Sequence, residues 1–202
     1  MSSKSIKLTS LILLLFLLSA CGANSKVEIT QSGEVYGNVY TNPDLGLVIG
    51  LPEDWIQADA DTGFLDVLES QLPSGGLVPM LLINQYEDQG MARFPQFLLY
   101  TRSTESVYNY TRDENGYLEL VMSALEDKYY RCIFDEITKK TISGKTFHAL
   151  SCELIDSDLI TTYRTVLISE QKGNYIIVAI SYLDMDQFET AAGLLDSMEF
   201  VD

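Results

Sequence analysis

Short apolar-rich stretches, bounded by turn residues, recur along this chain from residue 35 onward. Such stretches are typical of β-strands. They occupy residues 35–40, 45–51, 78–86, 94–101, 129–138, 145–155, 159–169 and 175–183. The last is apolar at consecutive positions from Tyr175 to Ile180, which predicts a central strand covered on both faces.

Three other stretches have the spacing of helices. Apolar residues recur about every four positions between residues 62 and 72, and again in a stretch that starts near Asp113. Asp184 is a good N-cap with Gln187 at the capping-box position, so we expect a final helix to about Asp196. Hairpin-linked strands with helices in the middle and at the end predict an α+β fold, an antiparallel β-sheet with helices packed on it.

The start of the chain has the three parts of an export signal. Lys4 and Lys7 form a positive start, an almost unbroken apolar run covers 8–18, and two small residues precede Cys21. The run suits a signal-peptide core and falls short of the ~20 residues of a membrane-spanning helix. The sequence Leu-Ser-Ala-Cys at 18–21 resembles the lipobox of bacterial lipoproteins.

This resemblance implies that Cys21 receives a diacylglyceryl group and becomes the N-terminus after cleavage. The chain then consists of a signal peptide at 1–20, a flexible polar tether at 21–33 and one domain at 34–202. Two acyl chains would anchor the protein to the cell membrane, facing outside the cytoplasm. The alternatives are an ordinary signal peptide with a coincidental cysteine, or an uncleaved anchor.

Short motifs at both ends of the domain resemble those of PsbP-like domains. Tyr40, Asn42 and Leu-Gly-Leu at 45–47 precede Leu-Pro-Glu-Asp-Trp at 51–55, and the chain closes with Leu-Leu-Asp-Ser-Met-Glu-Phe at 194–200. That group includes the extrinsic photosystem protein, the DcrB-like envelope lipoproteins and many other bacterial lipoproteins. The resemblance implies a PsbP-like sandwich with an opening hairpin, a final helix and a short closing strand.

The net charge of the chain limits the kinds of partner that it can bind. The chain has 29 acidic and 13 basic residues, a net charge of −16. Because the leader holds two lysines and no acid, its removal changes the charge to −18. Such a chain lacks the clustered basic side chains that bind a phosphate backbone, so we expect no nucleic-acid partner. Attachment to the membrane would therefore depend on the acyl chains and not on attraction to anionic lipid headgroups.

The sequence carries no signature of catalysis. His148 is its single histidine and lies in a predicted strand. No nucleophile elbow, Walker loop, dinucleotide fingerprint or zinc-protease helix accompanies it. One histidine with the two remaining thiols is a poor zinc set. We therefore expect a protein that is not an enzyme and that has no cofactor and no metal site.

Cys132 and Cys152 lie on the two strands of one predicted hairpin, in a potentially oxidising compartment. A cross-strand disulfide needs them directly opposite each other. A two-residue turn at 143–144 puts the thiols on opposite faces, whereas a five-residue loop at 140–144 brings them together. The pattern is therefore compatible with either a disulfide or two buried free thiols.

Two functions from different classes fit these observations. The first is a membrane-anchored, non-enzymatic interaction or assembly module of the cell envelope, with an envelope protein as partner. The second is a lipoprotein that binds a small ligand or divalent cation at a candidate site formed by Trp55, Tyr108 and Tyr110. The two tyrosines lie in a polar stretch, 102–115, that we expect to be an exposed mobile loop. The alternative role for Trp55 is that of a core residue at the end of a strand.

The lipid anchor can be tested by replacing Cys21 with Ser. We expect Cys21→Ser to move from the membrane to the soluble fraction, because no acyl chain then holds the protein at the bilayer. Cys132→Ser, the matched control, should stay in the membrane fraction. Membrane retention of Cys21→Ser, or an unmodified N-terminus elsewhere by mass spectrometry, would contradict the anchor.

Overall fold

The computed structural model describes residues 33–57, 62–70, 76–85 and 94–201. Their helices are α1 (Thr62–Ser70), α2 (Glu114–Lys128) and α3 (Met185–Asp196), and a 3-10 turn covers Thr104–Val107. Their strands are β1 (Glu34–Tyr36), β2 (Val39–Asn42), β3 (Leu47–Gly50), β4 (Ile56–Gln57), β5 (Leu77–Asn84), β6 (Gln96–Ser103), β7 (Arg131–Phe134), β8 (Thr138–Ile142), β9 (Lys145–Ile155), β10 (Thr161–Gln171), β11 (Asn174–Tyr182) and β12 (Met198–Phe200). The proposed signal peptide and the tether up to residue 32 lie outside the described residues.

The strands form two antiparallel sheets. The larger one has the order β4-β5-β6-β11-β10-β9-β7, with β8 also paired to β9, and the smaller one the order β1-β2-β3-β12. β11 lies inside the larger sheet and is buried at every residue. The central strand covered on both faces is therefore confirmed, as is the α+β class. Among the described residues, no helix is long and apolar enough to span a membrane.

β11 contributes to two hydrophobic cores because its side chains alternate between the two faces of the sheet. Its even-numbered residues from 176 to 182 face the first core, which lies between the larger sheet, the smaller sheet and α3. Its odd-numbered residues from 175 to 179 face the second core, which α1 and α2 cover. The result is three layers with the larger sheet in the middle.

The closing motif forms as the PsbP-like resemblance implies. The Asp184 side chain accepts a hydrogen bond from Gln187 N at 2.9 Å, and the Gln187 side chain accepts one from Leu183 N at 2.9 Å. These bonds satisfy free N–H groups at the start of α3. After α3, β12 pairs antiparallel with β3, and Phe200 lies opposite Leu47.

In the first half of the domain, the structure differs from the sequence expectations in two stretches. The stretch 35–40 is a hairpin of β1 and β2 rather than one strand, because Gly37 takes a left-handed backbone with φ of 59°. The stretch 102–115 is not one exposed loop: β6 continues to Ser103, and Arg102 is completely buried. The ladder with β11, which pairs Arg102 with Tyr175, carries the polar residues inward.

Two left-handed glycines provide a matched test of the closing strand. Gly46 has φ of 66°, and a Cβ there would collide with the backbone carbonyl oxygen of Val201, just beyond β12. Gly37 has φ of 59° and open space around it. We expect Gly37→Ala to destabilise by about 1 kcal/mol, and Gly46→Ala by roughly 3 kcal/mol or more, in urea unfolding. Equal losses would mean that the contact between residues 46 and 201 is dispensable.

Candidate functional site

Tyr108 and Tyr110 project from the surface directly after the 3-10 turn, with 59% and 54% of their surface exposed. Val107 fixes this turn from below, since it is fully buried in the second core. Its carbonyl oxygen accepts hydrogen bonds from Tyr110 N at 2.8 Å and from Thr111 N at 3.0 Å. The chain therefore turns over a buried anchor and presents the two tyrosines to solvent.

Two adjoining cavities lie beside these tyrosines and share Thr111 and Arg112. We call them together the tyrosine groove. The larger, of about 570 Å³, runs along the first half of α2 and is lined by Tyr110. The smaller, of about 270 Å³, lies between the 3-10 turn and the β10–β11 hairpin and is lined by Tyr108. Both open to solvent.

The tyrosine groove is predominantly acidic. Its carboxylates are Glu105, Asp113, Glu119 and Glu170, against the single cation Arg112 among its lining residues. The Arg112 guanidinium lies 5.3 Å from the centre of the Tyr108 ring, a cation–π distance. The Asp113 carboxylate accepts a hydrogen bond from Gly116 N at 2.8 Å. The N-terminus of α2 is therefore capped by a negative side chain of the chain itself.

Tyr175 forms part of the floor of the groove and stays protonated. Burial raises the pKa of its hydroxyl to about 12, and Glu170, Glu114 and Asp113 add to the shift. The phenol is thus a hydrogen-bond donor or acceptor here and not a base. The groove offers aromatic faces and carboxylates but no activated nucleophile.

The single histidine lies at the edge of this region. His148 is 2.6 Å from Asn115, measured from Nδ1 to Oδ1. Cys152, the nearest thiol in the sequence, instead donates to the carbonyl oxygen of Arg164 at 3.5 Å. Across the described ranges, no group of three or more metal-ligating side chains occurs either.

The structure does not bring Trp55 to the tyrosines. Trp55 is 8% exposed and packs in the first core, whereas Val107, beside the tyrosines, packs in the second. Trp55 precedes β4, whose Ile56 is level with the start of β6, while the tyrosines follow the end of β6. A strand of that length separates them by roughly 25 Å. The three-residue ligand site is therefore not assembled.

The two cysteines are free thiols in this structure. The tight turn at 143–144 forms and pairs Ile142 with Lys145, so the five-residue loop that a direct pair requires is absent. Residues 135–137 then interrupt the pairing and shift the register, which places Cys132 opposite Leu154. Both thiols face the second core, two residues out of register. The expectation that a tight turn puts them on opposite faces is wrong, because it assumed one unbroken strand.

Sequence reasoning missed a second region, at the other end of the larger sheet. There, several large apolar side chains are exposed, one within β7 and the others just before β7 and β10 or just after β11. Within the described chain these are Tyr130 (75% exposed), Leu159 (70%), Met185 (60%), Ile160, Leu183 and Ile133. The pairing of Arg131 with Ile155, Ile155 with Thr161, and Tyr163 with Tyr182 places their backbone positions at the same end of the larger sheet. We call this set the apolar end.

The β9–β10 turn holds part of the apolar end in a fixed shape. The Asp156 side chain accepts hydrogen bonds from Asp158 N and Ile160 N, both at 2.9 Å, and Leu159 N donates to the Asp156 carbonyl oxygen at 3.1 Å. Leu159 takes a left-handed backbone with φ of 62°. In the sequence, the signal for this exposed turn is Leu-Ile at 159–160 directly after Asp-Ser-Asp at 156–158.

Stacked aromatic rings support the apolar end from below. Tyr163 stacks on Tyr182 with ring centres 5.6 Å apart, and Tyr182 packs against Phe188 of α3 at 4.9 Å. The ring of Tyr182 is buried in the first core. The end of β11, which Leu183 and Met185 follow, is therefore well packed.

The buried thiol provides a pH test of the fold. Burial raises the pKa of Cys152 from an ordinary 9.0 to about 12, against the smaller opposing effect of Arg164. Above pH 9 the unfolded thiol therefore loses a proton that the folded one keeps, and stability falls by up to about 1.4 kcal/mol per pH unit. We expect Cys152→Ala to reduce this fall in urea unfolding between pH 8 and 10.

The matched control is Cys132→Ala, which removes a partly exposed thiol and should leave most of the pH dependence in place. In a Cys21→Ser background, we expect a thiol reagent to label Cys132 well before Cys152. If the free energy of unfolding fell equally steeply with pH in the two alanine variants, or if folded Cys152 were labelled rapidly, the burial of the Cys152 thiol would be contradicted.

Comparison with known proteins supports the fold. No protein-family model matches the chain, and no curated protein is significantly similar in sequence. Solved structures do match. CyanoP, the cyanobacterial PsbP of Synechocystis sp. PCC 6803, has 14% identity and a TM-score of 0.52, over 84% of this chain and 98% of its own. LpqN of Mycobacterium tuberculosis, involved in cell envelope biogenesis, has 14% identity and a TM-score of 0.48 over 77% and 83%.

The Ran-binding protein Mog1p of Saccharomyces cerevisiae has 10% identity and a TM-score of 0.43 over 78% of this chain and 91% of its own. At 14% identity, the likeness to CyanoP establishes the fold and nothing finer. The PsbP-like fold implied by the opening and closing motifs of the domain is confirmed by the match to CyanoP.

Proposed function

We propose that this protein is a lipid-anchored, extracytoplasmic interaction module of the cell envelope that acts without catalysis. The observation that carries the proposal is the apolar end of the larger sheet. Its exposed side chains include Tyr130, Leu159 and Met185, each at least 60% exposed. Large apolar side chains gathered at one place on a protein surface mark interaction sites.

The shape of the apolar end favours a macromolecular partner over a small ligand. Leu159 and Ile160 lie at the tip of the β9–β10 connection and project from the domain. Sites for small molecules are concave and enclose most of the ligand. A projecting tip instead fits into a recess of another protein, as the anchor residues of an interface do.

The turn at this tip is preorganised for binding. A left-handed backbone costs an L-residue roughly 1–2 kcal/mol, a cost that glycine would avoid. Leu159 nevertheless occupies this position, and hydrogen bonds to Asp156 fix the turn around it. A turn whose backbone is already fixed loses less conformational entropy on association than a flexible one. Strain at such a position is expected where it serves function.

Carboxylates around the apolar end indicate the chemistry of the partner. Asp156 and Asp158 flank the tip, while Asp184 and Asp186 flank Met185. A partner segment that combines apolar side chains with lysine or arginine would complement both features. The same carboxylates disfavour insertion into an anionic lipid surface. The partner we propose is therefore an envelope protein with an apolar, basic segment.

The anchor sets where such a partner can lie. The lipobox-like sequence places the proposed lipid on Cys21, about 12 residues before the first described residue. A fully extended tether of that length reaches roughly 40 Å. The domain can therefore contact proteins held in or at the same membrane. Two-dimensional confinement also raises the effective concentration of both partners.

The proposal can be tested by site-specific photo-crosslinking in cells. We expect a photoreactive residue at position 159 or 185 to give a discrete adduct, because both side chains would lie within the interface. Position 36 is the matched control, since Tyr36 is 89% exposed but lies on β1 in the smaller sheet. Mass spectrometry should place the adduct on a partner segment rich in apolar and basic residues.

A charge variant tests the chemistry of the same contact. Asp158→Asn with Asp186→Asn removes two charges beside the apolar end but keeps Asp156, which fixes the turn, and Asp184, which caps α3. We expect this pair to reduce the adduct severalfold. Adducts of equal yield at position 36, an adduct with lipid, or an adduct with a second copy of this chain would contradict the proposal.

A further inference from the structure

Arg164 is a cation buried inside the second core. It lies on β10, is 7% exposed, and pairs in register with Cys152 on β9 and Ser181 on β11. Residues opposite each other on neighbouring strands share a face of the sheet. Cys152 belongs to the second core, so the Arg164 side chain enters that apolar layer too.

Among the described residues, no counter-ion contacts the charged side chain of Arg164. Its Nε donates to the Ser181 hydroxyl at 3.0 Å, and its guanidinium lies 4.4 Å from the centre of the Phe64 ring on α1. Nη1 is buried and has no hydrogen-bond partner. No carboxylate among the described residues forms an ion pair with it. Of the described residues, one hydroxyl and one aromatic ring are therefore the groups that its guanidinium contacts.

Such an environment is unfavourable unless an anion joins it. A guanidinium removed from water loses far more solvation free energy than a single cation–π contact returns. Buried arginines are normally paired with carboxylates or phosphates, often through two parallel hydrogen bonds. An apolar residue of similar size would serve the core better if packing were the purpose. Arg164 thus has the properties of a ligand-binding residue.

A second buried polar group lies along the same row of the sheet. Ser181 pairs with Gln96 on β6, and Gln96 pairs with Asn84 on β5, so all three share a face with Arg164. Asn84 is 2% exposed, and its side-chain oxygen has no hydrogen-bond partner. The backbones of Ser181 and Asn84 are two strand spacings apart, about 10 Å. The row therefore holds a buried donor at one side and a buried acceptor at the other.

We propose that this row binds a small molecule through a carboxylate or phosphate group, with the oxyanion held by Arg164 and a donor group of the same molecule held by Asn84. The planar guanidinium fits two oxygens of either oxyanion. The Ser181 hydroxyl orients the guanidinium, and Gln96 lies between the two anchors. This site is separate from the apolar end, where Tyr163 and Tyr182 point to the other face of the sheet.

Thermal unfolding of the full chain tests the proposal, with sodium phosphate and sodium acetate as probes and sodium chloride at equal ionic strength as reference. An anion that binds the folded state raises Tm, by roughly 5–10 °C once it exceeds its Kd about a hundredfold. We expect the rise in the natural chain and its loss in Arg164→Met. The two probes distinguish a carboxylate site from a phosphate site.

The controls separate binding from general salt effects. Arg131→Met removes an exposed arginine with the same change of charge, and it should keep the full response. Phosphate stabilises many proteins by exclusion from their surface, and that part should persist in Arg164→Met. Without added anion, Arg164→Met should melt no lower than the natural chain. Asn84→Leu should retain the response to these small probes.

Calorimetric titration of the natural chain with each anion gives an independent reading if Arg164→Met does not fold. Arg164→Lys then serves as the second variant, since it keeps the charge but loses the two-pronged contact and should bind at least tenfold more weakly. The absence of both a heat of binding and an anion-specific Tm rise in the natural chain would overturn the proposal. Equal responses of the natural chain and Arg164→Met would overturn it as well.

Discussion

The larger sheet has two apolar faces, and the rest of the domain is arranged to cover both of them. β11 shows the constraint most directly, since each of its nine residues is buried. A strand of this kind is stable only if packed layers exclude water from both sides. α1 and α2 form one layer, and the smaller sheet with α3 forms the other. The contact between Gly46 and Val201 matters because it holds β12, and with it the smaller sheet, in place.

Two covering layers leave the ends of the sheet as the places where unusual side chains can reach solvent. The tyrosine groove occupies one end, where β6 runs into the 3-10 turn and α2 begins. The apolar end occupies the other, where β10 starts and β11 passes into α3. The first is polar, acidic and open. The second is apolar, which is why it carries the proposed contact with a partner.

Much of the fold could be predicted because local signals agreed with the global packing. The apolar run at 175–180 specified the central strand, and Asp184 with Gln187 specified the start of α3. The site could not be predicted in the same way. Trp55 and the tyrosines were grouped by residue type, and the eight-residue β6 separates them. The prediction of which faces the two cysteines occupy was wrong for a similar reason. The pairing with β9 is interrupted at 135–137, and the apolar pattern of the sequence does not show this interruption.

Residues that break a local rule are more informative here than residues that match a motif. Arg164 lies on the same face of β10 as Val166 and Ile168, both fully buried, so a period of two already places a charge in the core. Leu159 stands where the left-handed turn favours glycine. Natural sequences violate such preferences mainly at functional sites. Arg164 and Leu159 lie near the same end of the larger sheet, so this end combines the proposed partner surface with the proposed anion site.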